Sequence, residues 1–195
     1  CHEPHPPYTS PEPFHSMFDP DAMDLPPNWK DPAGPALVAH RKAEQLQVVT
    51  DWTEHQMRAM RAAYWGAVTY VDHLVGRLIT ALLDAEKWDN TLFIFFSDHG
   101  EMLGHHGLIA KGALMYEDLV RIPMIIHPPG GLGTPHRCAQ VVSLIDLVPT
   151  IVRFCGGDPA AILQGVDFGD LIRGADHAVN NGVAAEFHSV NWTDP

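Results

Sequence analysis

Thr91–Gly107 reads "TLFIFFSDHGEMLGHHG": an uninterrupted apolar run that opens at once onto Asp98, three imidazoles and three glycines. A run apolar on both faces is the pattern of a central parallel strand covered on both sides. In open α/β sheets, ligands collect beyond the carboxyl ends of such strands. Asp98 and His99 leave the run at that end, and the glycines let the backbone turn away immediately. Two alternatives follow. The stretch is a tight surface loop that happens to be polar, or it is half of a divalent-metal site built from one carboxylate oxygen and one imidazole nitrogen. Two ligands are too few, so a metal site needs partners from elsewhere in the protein.

Working outward, "IPMIIHP" (122–128) reads as a second buried strand, ended by "PPGGLG". Upstream, Thr53 and Gln56 form a T-x-x-Q capping box. Met57, Met60, Tyr64, Val68, Val71, Leu74, Leu78 and Leu82 then recur at steps of three and four, which predicts one long helix over Met57–Leu83. Gly66 and Gly76 each cost that helix about 1 kcal/mol relative to Ala, and both are expected to mark close packing. "VSLIDLVPTIVRFCGG" (142–157) reads as a short strand or turn leading into a helix, with Pro149 in the helix's first turn and Gly156-Gly157 as its stop. "GVAAEFH" (182–188) is a candidate last strand. Helices alternating with buried strands predict an α/β fold, a layered α/β/α domain with a mostly parallel central sheet.

Residues 1–35 hold ten of the seventeen prolines, so they form neither helix nor central strand. Tyr8, Phe14, Met17, Phe18, Met23, Leu25 and Trp29 give this segment apolar anchors, and it is expected to drape over the domain as an ordered loop. A formal charge of -12 argues against a nonspecific grip on nucleic acid or on an anionic membrane surface. No apolar run reaches the length of a membrane span, and no signal peptide is read. Cys1, Cys138 and Cys155 form no C-x-x-C pair, so neither a zinc knuckle nor a disulfide framework is implied. The chain begins at Cys1 and not at Met, so a piece of a longer protein is expected and the compartment is left open.

Two further residues have both a plain and a chemical reading. Lys111, in "LIAKGALMYEDLVRIP", is either a solvated surface lysine or a cation that returns to the strand mouth to neutralise an anionic substrate or leaving group. His5, between Pro4 and Pro6, is either an exposed loop histidine or a ring pre-organised to donate a hydrogen bond.

The combination is more specific than its parts. "DNTLFIFFSDHGEMLGHHGLIAKGALMYEDLVRIPMIIHPPG" closely resembles the sulfatase family of the alkaline phosphatase superfamily: a buried strand, S-D-H-G-E, G-x-H-G, K-G-x-x-x-Y-E, then R-[IV]-P and another strand. "PHPPYTSPEPF" resembles the earlier proline-rich segment of these proteins, and "SLIDLVPTIVRFCG" a later helix. The resemblance implies that Asp98 and His99 are two ligands of a single catalytic divalent ion, with calcium the first choice and magnesium or manganese next. It implies that Lys111 contacts the sulfate and the leaving oxygen, and that His5 touches the sulfate group or that oxygen. His106 matches the G-x-H-G histidine, while His105 stands where the family has an acidic or other polar residue. Lys42, His40, Arg121 and Asp146 carry no such role, and the last two look structural.

The departures are as informative. The C-x-P-x-R or S-x-P-x-R motif, whose Cys or Ser becomes the formylglycine nucleophile, is absent from residues 1–195, as is the Asp-Asp pair of N-terminal metal ligands. "CHEPH" does not fit, so Cys1 is not promoted to nucleophile. Residues 1–195 are therefore expected to be the C-terminal part of a catalytic domain, with formylglycine upstream and inactivity when isolated. The expected function is metal-dependent hydrolysis of small sulfate esters. Phosphonate monoester or phosphodiester hydrolysis on the same scaffold is the enzymatic alternative. A sulfatase-like protein that has lost its chemistry is the third reading, and the joint presence of Asp98, His99, Lys111 and His5 argues against it.

Overall fold

The structure is a computed structural model that describes residues 2–31, 47–112, 114–132, 134–159, 163–180 and 182–185. Cys1, His40, Lys42 and residues 186–188 of the candidate last strand lie outside them, and 182–185 contain no strand. The described residues within Cys1–Ala85 and His99–Arg121 form one compact unit, and those within Glu86–Asp98 and Ile122–His188 form a second.

The first unit is built on helix α1 (Glu54–Asp84), which starts where its capping box places it: the Thr53 hydroxyl accepts the Gln56 amide at 3.2 Å, and the Gln56 side chain accepts the Thr53 amide at 2.9 Å. Only the N-terminal half of α1 has buried positions, at Met57, Ala62, Gly66 and Ala67. The proline-rich segment covers that half. Tyr8 meets Tyr64 edge-on at 5.4 Å, Phe14 lies 5.2 Å from Tyr70, and Phe18 lies 6.1 Å from Trp65. Trp29 is buried with Val49, Met57 and Ile109, whereas Met17, expected as an anchor, is exposed. Gly66 is a true close approach: a Cβ there would stand 2.2 Å from the Phe14 carbonyl oxygen. Gly76 is not, since a Cβ there would meet nothing within 4 Å. Strands β1 (Gln47–Val48) and β3 (Leu108–Ile109) pair antiparallel in the same unit, with Val48 opposite Leu108, and a single helical turn, α2 (Glu117–Val120), follows.

In the second unit, β2 (Phe93–Phe96) pairs with β4 (Met124–His127), placing Ile94 opposite Ile126 and Phe96 opposite Met124. The two apolar runs are neighbours, as expected, but they run antiparallel, and no parallel pair occurs among the described strands. Among the described residues, one face of the pair is packed and the other is largely open. Ile94, Met124 and Ile126 pack on the cluster of Leu147, Phe168, Leu171 and Ile172 from α3 (Leu147–Phe154), α4 (Gly169–Ile172) and the residue before it. On the opposite face Ile125 is 64% exposed, and Trp88 stacks on His127 at 4.3 Å. A run of apolar residues thus carries burial but no strand direction, and an antiparallel pair satisfies it as well.

Helix α3 has Pro149 in its first turn and is followed by Gly156 at φ 79, as its sequence predicts. Asp146, just before it, is buried and fully engaged: its carboxylate accepts the Ser143 amide (2.8 Å), the Val166 amide (2.8 Å) and the Asn180 side-chain amide (2.9 Å). Such a carboxylate is a brace for three chain segments. Among the described residues, no helix is long and apolar enough to cross a membrane.

Candidate functional site

The chain that follows His99 folds into a hairpin-like loop. Gly100 and Glu101 donate their amides to the Leu119 and Asp118 carbonyls at 2.8 and 3.0 Å. Gly100 has to be glycine, because a Cβ would lie 1.8 Å from the Asp118 oxygen. The loop then closes on itself, with Met102 N–H donating to the Ala110 carbonyl (3.2 Å) and Gly104 N–H to the Leu108 carbonyl (2.8 Å). Lys111 follows immediately, so the return strand of the loop carries it back alongside the segment that His99 begins. A buried cluster of Met102, Leu108, Leu114 and Leu119 supports the loop from beneath. Lys111 is itself half-buried.

Two imidazoles of the expected site have a defined tautomer. The Nδ1 of His99 stands 2.7 Å from the Gly100 carbonyl oxygen, and the Nδ1 of His5 stands 2.7 Å from the Pro6 carbonyl oxygen. A carbonyl can only accept, so each Nδ1 donates. In the neutral ring Nε2 then holds the lone pair, the form a metal-binding histidine takes. For His5 the same geometry makes Nε2 an acceptor when neutral and a donor only when protonated. His5 is exposed, with its ring 4.7 Å from that of His2. Asp98 is exposed and ends the first segment of the second unit. Among the described residues, no three or more His, Cys, Asp or Glu side chains gather as a metal cage. A carboxylate such as that of Asp98 and an imidazole Nε2 such as that of His99 are donor types that a divalent ion takes, and two of them are fewer than a full site needs.

The motif reading assigns no role to the acid that follows Gly100. Glu101 turns inward: its Oε1 accepts the Leu103 amide at 3.2 Å and the Ala110 amide as well. Arg61 of α1 also holds the loop, donating to the Leu103 carbonyl at 2.8 Å. The Tyr8 hydroxyl is buried beside the Glu101 carboxylate without a well-formed hydrogen bond. Burial holds the Glu101 carboxyl above the usual carboxylate range, against the pull of its two amide donors, Tyr8 and His99. Burial, followed by the charge of Glu101, raises the Tyr8 and Tyr64 hydroxyls. Arg61 is lowered, again by burial first. His106 stacks on Tyr116 at 4.6 Å, and His105 Nδ1 lies 3.6 Å from an Asp118 oxygen, so both brace the loop.

A family model described as Sulfatase matches residues 1–157. The chain belongs to the sulfatase family. An arylsulfatase from Clostridium perfringens is 33% identical over 173 residues, which is 87% of this chain and 35% of that protein. The multifunctional alkaline phosphatase superfamily protein PehA of Trinickia caryophylli is 33% identical over 180 residues, 84% of this chain and 34% of that protein. Among solved structures, the phosphonate monoester hydrolase of Agrobacterium radiobacter superposes with a TM-score of 0.75 at 30% identity, over 90% of this chain and 37% of that chain. The chain thus spans about a third of the length of the curated relatives it matches. The likeness confirms the family that the S-D-H-G-E stretch had pointed to.

Proposed function

We propose that residues 1–195 contribute the metal-ligating Asp98-His99 pair and the leaving-group cation Lys111 to a catalytic domain that hydrolyses small sulfate esters. One observation carries this reading. What supports it is the turn of the loop after His99: Met102 N–H donates to the carbonyl of Ala110, the residue before Lys111, at 3.2 Å, so the chain that carries Lys111 runs back along the chain that His99 begins.

The divalent ion, calcium by preference and magnesium or manganese otherwise, would draw charge from the nucleophile and one ester oxygen. Asp98 would give it a carboxylate oxygen and His99 its Nε2. The nucleophile, a formylglycine made from Cys or Ser, is placed outside residues 1–195. Lys111 would hold an ammonium against the ester oxygen on which negative charge builds as the S–O bond breaks. His5, with Nδ1 donating to Pro6, would donate from Nε2 to the sulfate or the leaving oxygen in its imidazolium form, with both ring nitrogens protonated. The partner is a small-molecule sulfate ester, with no part for nucleic acid or membrane. Hydrolysis of phosphonate monoesters is the second reading, favoured by the relatives named for that activity and for multiple activities.

The test is turnover of nitrophenyl sulfate and of a nitrophenyl phosphonate monoester by the complete catalytic domain carrying this segment, and by its His99→Ala variant. Faster sulfate turnover, lost in the variant, is expected. Faster phosphonate turnover selects the second reading, and turnover of neither substrate defeats both.

A further inference from the structure

Glu101 meets the segments that carry three proposed site residues. It follows His99 by two positions, its Oε1 accepts the amide of Ala110 next to Lys111, and its carboxylate lies beside the hydroxyl of Tyr8, three residues after His5. Backbone hydrogen bonds and Arg61 also hold the loop it grips, but two of the loop's residues stand in an unfavourable conformation. Leu103 and Ala110 both have left-handed backbones, at φ 46 and 66, which residues with a side chain rarely adopt. The amides of these same two residues converge on one oxygen, Glu101 Oε1. A single acceptor therefore fixes both strained points of the loop, and Lys111 is the residue directly beyond the second.

Resting on the assignment of Lys111 given above, we propose that Glu101 is a positioning residue, whose carboxylate oxygen locks the Leu103–Ala110 loop so that the Lys111 ammonium is delivered to the leaving oxygen of the ester. Misplacement of a catalytic group by about 1 Å can cost roughly a hundredfold in rate. Loss of the acceptor is expected to act on that scale, on kcat more than on KM.

The experiment compares Glu101→Leu, Glu101→Gln, Lys111→Ala and the Glu101→Leu/Lys111→Ala double variant in the complete catalytic domain. Each is assayed on one ester with a poor leaving group and one with a good leaving group. The ratio of the two rates does not depend on how much of a preparation is folded, so partial unfolding of Glu101→Leu does not obscure the result. Expected is a fall in that ratio for Glu101→Leu, a double variant no worse than Lys111→Ala, and recovery in Glu101→Gln, whose side-chain oxygen still accepts both amides. A ratio unchanged in Glu101→Leu, or losses that multiply in the double variant, would overturn the positioning role while leaving Lys111 in place. An unimpaired Lys111→Ala enzyme would instead remove the assignment of Lys111, and this proposal with it.

Discussion

Alanine at Gly66 and at Gly76 is the same substitution in the same helix, yet the two should act in opposite directions. Each removes a glycine from the interior of α1, which is worth about 1 kcal/mol in helix propensity. At position 76 the new methyl meets nothing within 4 Å, so the gain stands and stability rises by about 1 kcal/mol. At position 66 the methyl would stand 2.2 Å from the Phe14 carbonyl oxygen and 3.1 Å from its carbon. A carbon–oxygen contact ordinarily needs about 3.3 Å, so the backbone of the proline-rich segment has to retreat by roughly 1 Å. That segment is not free to yield, because Phe14 rests on Tyr70 and His73 and donates its amide to the Pro11 carbonyl at 3.0 Å. Overpacking of this kind costs roughly 1–3 kcal/mol. Set against the propensity gain, Gly66→Ala should be neutral to about 2 kcal/mol destabilising, and should lie about 1–3 kcal/mol below Gly76→Ala. Urea unfolding followed by circular dichroism, with equal slopes for both variants, measures the difference. Coincident midpoints would refute the seating of the proline-rich segment on α1.

Two other outcomes can be read with simple assays. Lys111→Ala in the complete domain should lower kcat by roughly 10²–10³ on esters with poor leaving groups, by analogy with loss of an oxyanion donor, and much less on nitrophenyl esters. An unchanged kcat on a poor-leaving-group ester would return Lys111 to the solvated surface. The raised Tyr8 and Tyr64 hydroxyls have a sign that can be checked. The folded protein keeps protons that the unfolded chain gives up near the ordinary phenol value, so their effect is absent below that pH and stability falls as pH rises beyond it. Tyr8→Phe should therefore move the alkaline unfolding midpoint upward, and a midpoint unmoved or lowered would contradict burial of the Tyr8 hydroxyl.

Much of this was legible in the sequence, for physical reasons that differ by element. Helix α1 begins at its capping box because reciprocal hydrogen bonds between Thr53 and Gln56 are local, and α3 stops at Gly156 because a left-handed terminus is local too. The runs that became β2 and β4 were recognisable as neighbouring strands from composition, but their antiparallel pairing was not, since hydrophobicity carries no direction. Gly66 and Gly76 looked alike because a missing side chain says nothing of what approaches it; Phe14 decides the matter from fifty-two positions away. Asp98, His99, Lys111 and His5 were singled out by motif order. Glu101 sits in the middle of the same motif, yet its role is not legible there, because an acid in a polar loop is ordinarily solvated. Only the fold shows its carboxylate turned inward onto the amides of Leu103 and Ala110.

The most direct test of the central claim is the metal content of the complete catalytic domain, measured by mass spectrometry of the purified protein beside its Asp98→Ala/His99→Ala variant. One tightly held divalent ion per chain in the parent, calcium in the first instance, and little or none in the variant is the expected result. A parent without a divalent ion, or a variant that keeps it in full, would contradict the assignment of Asp98 and His99 as metal ligands.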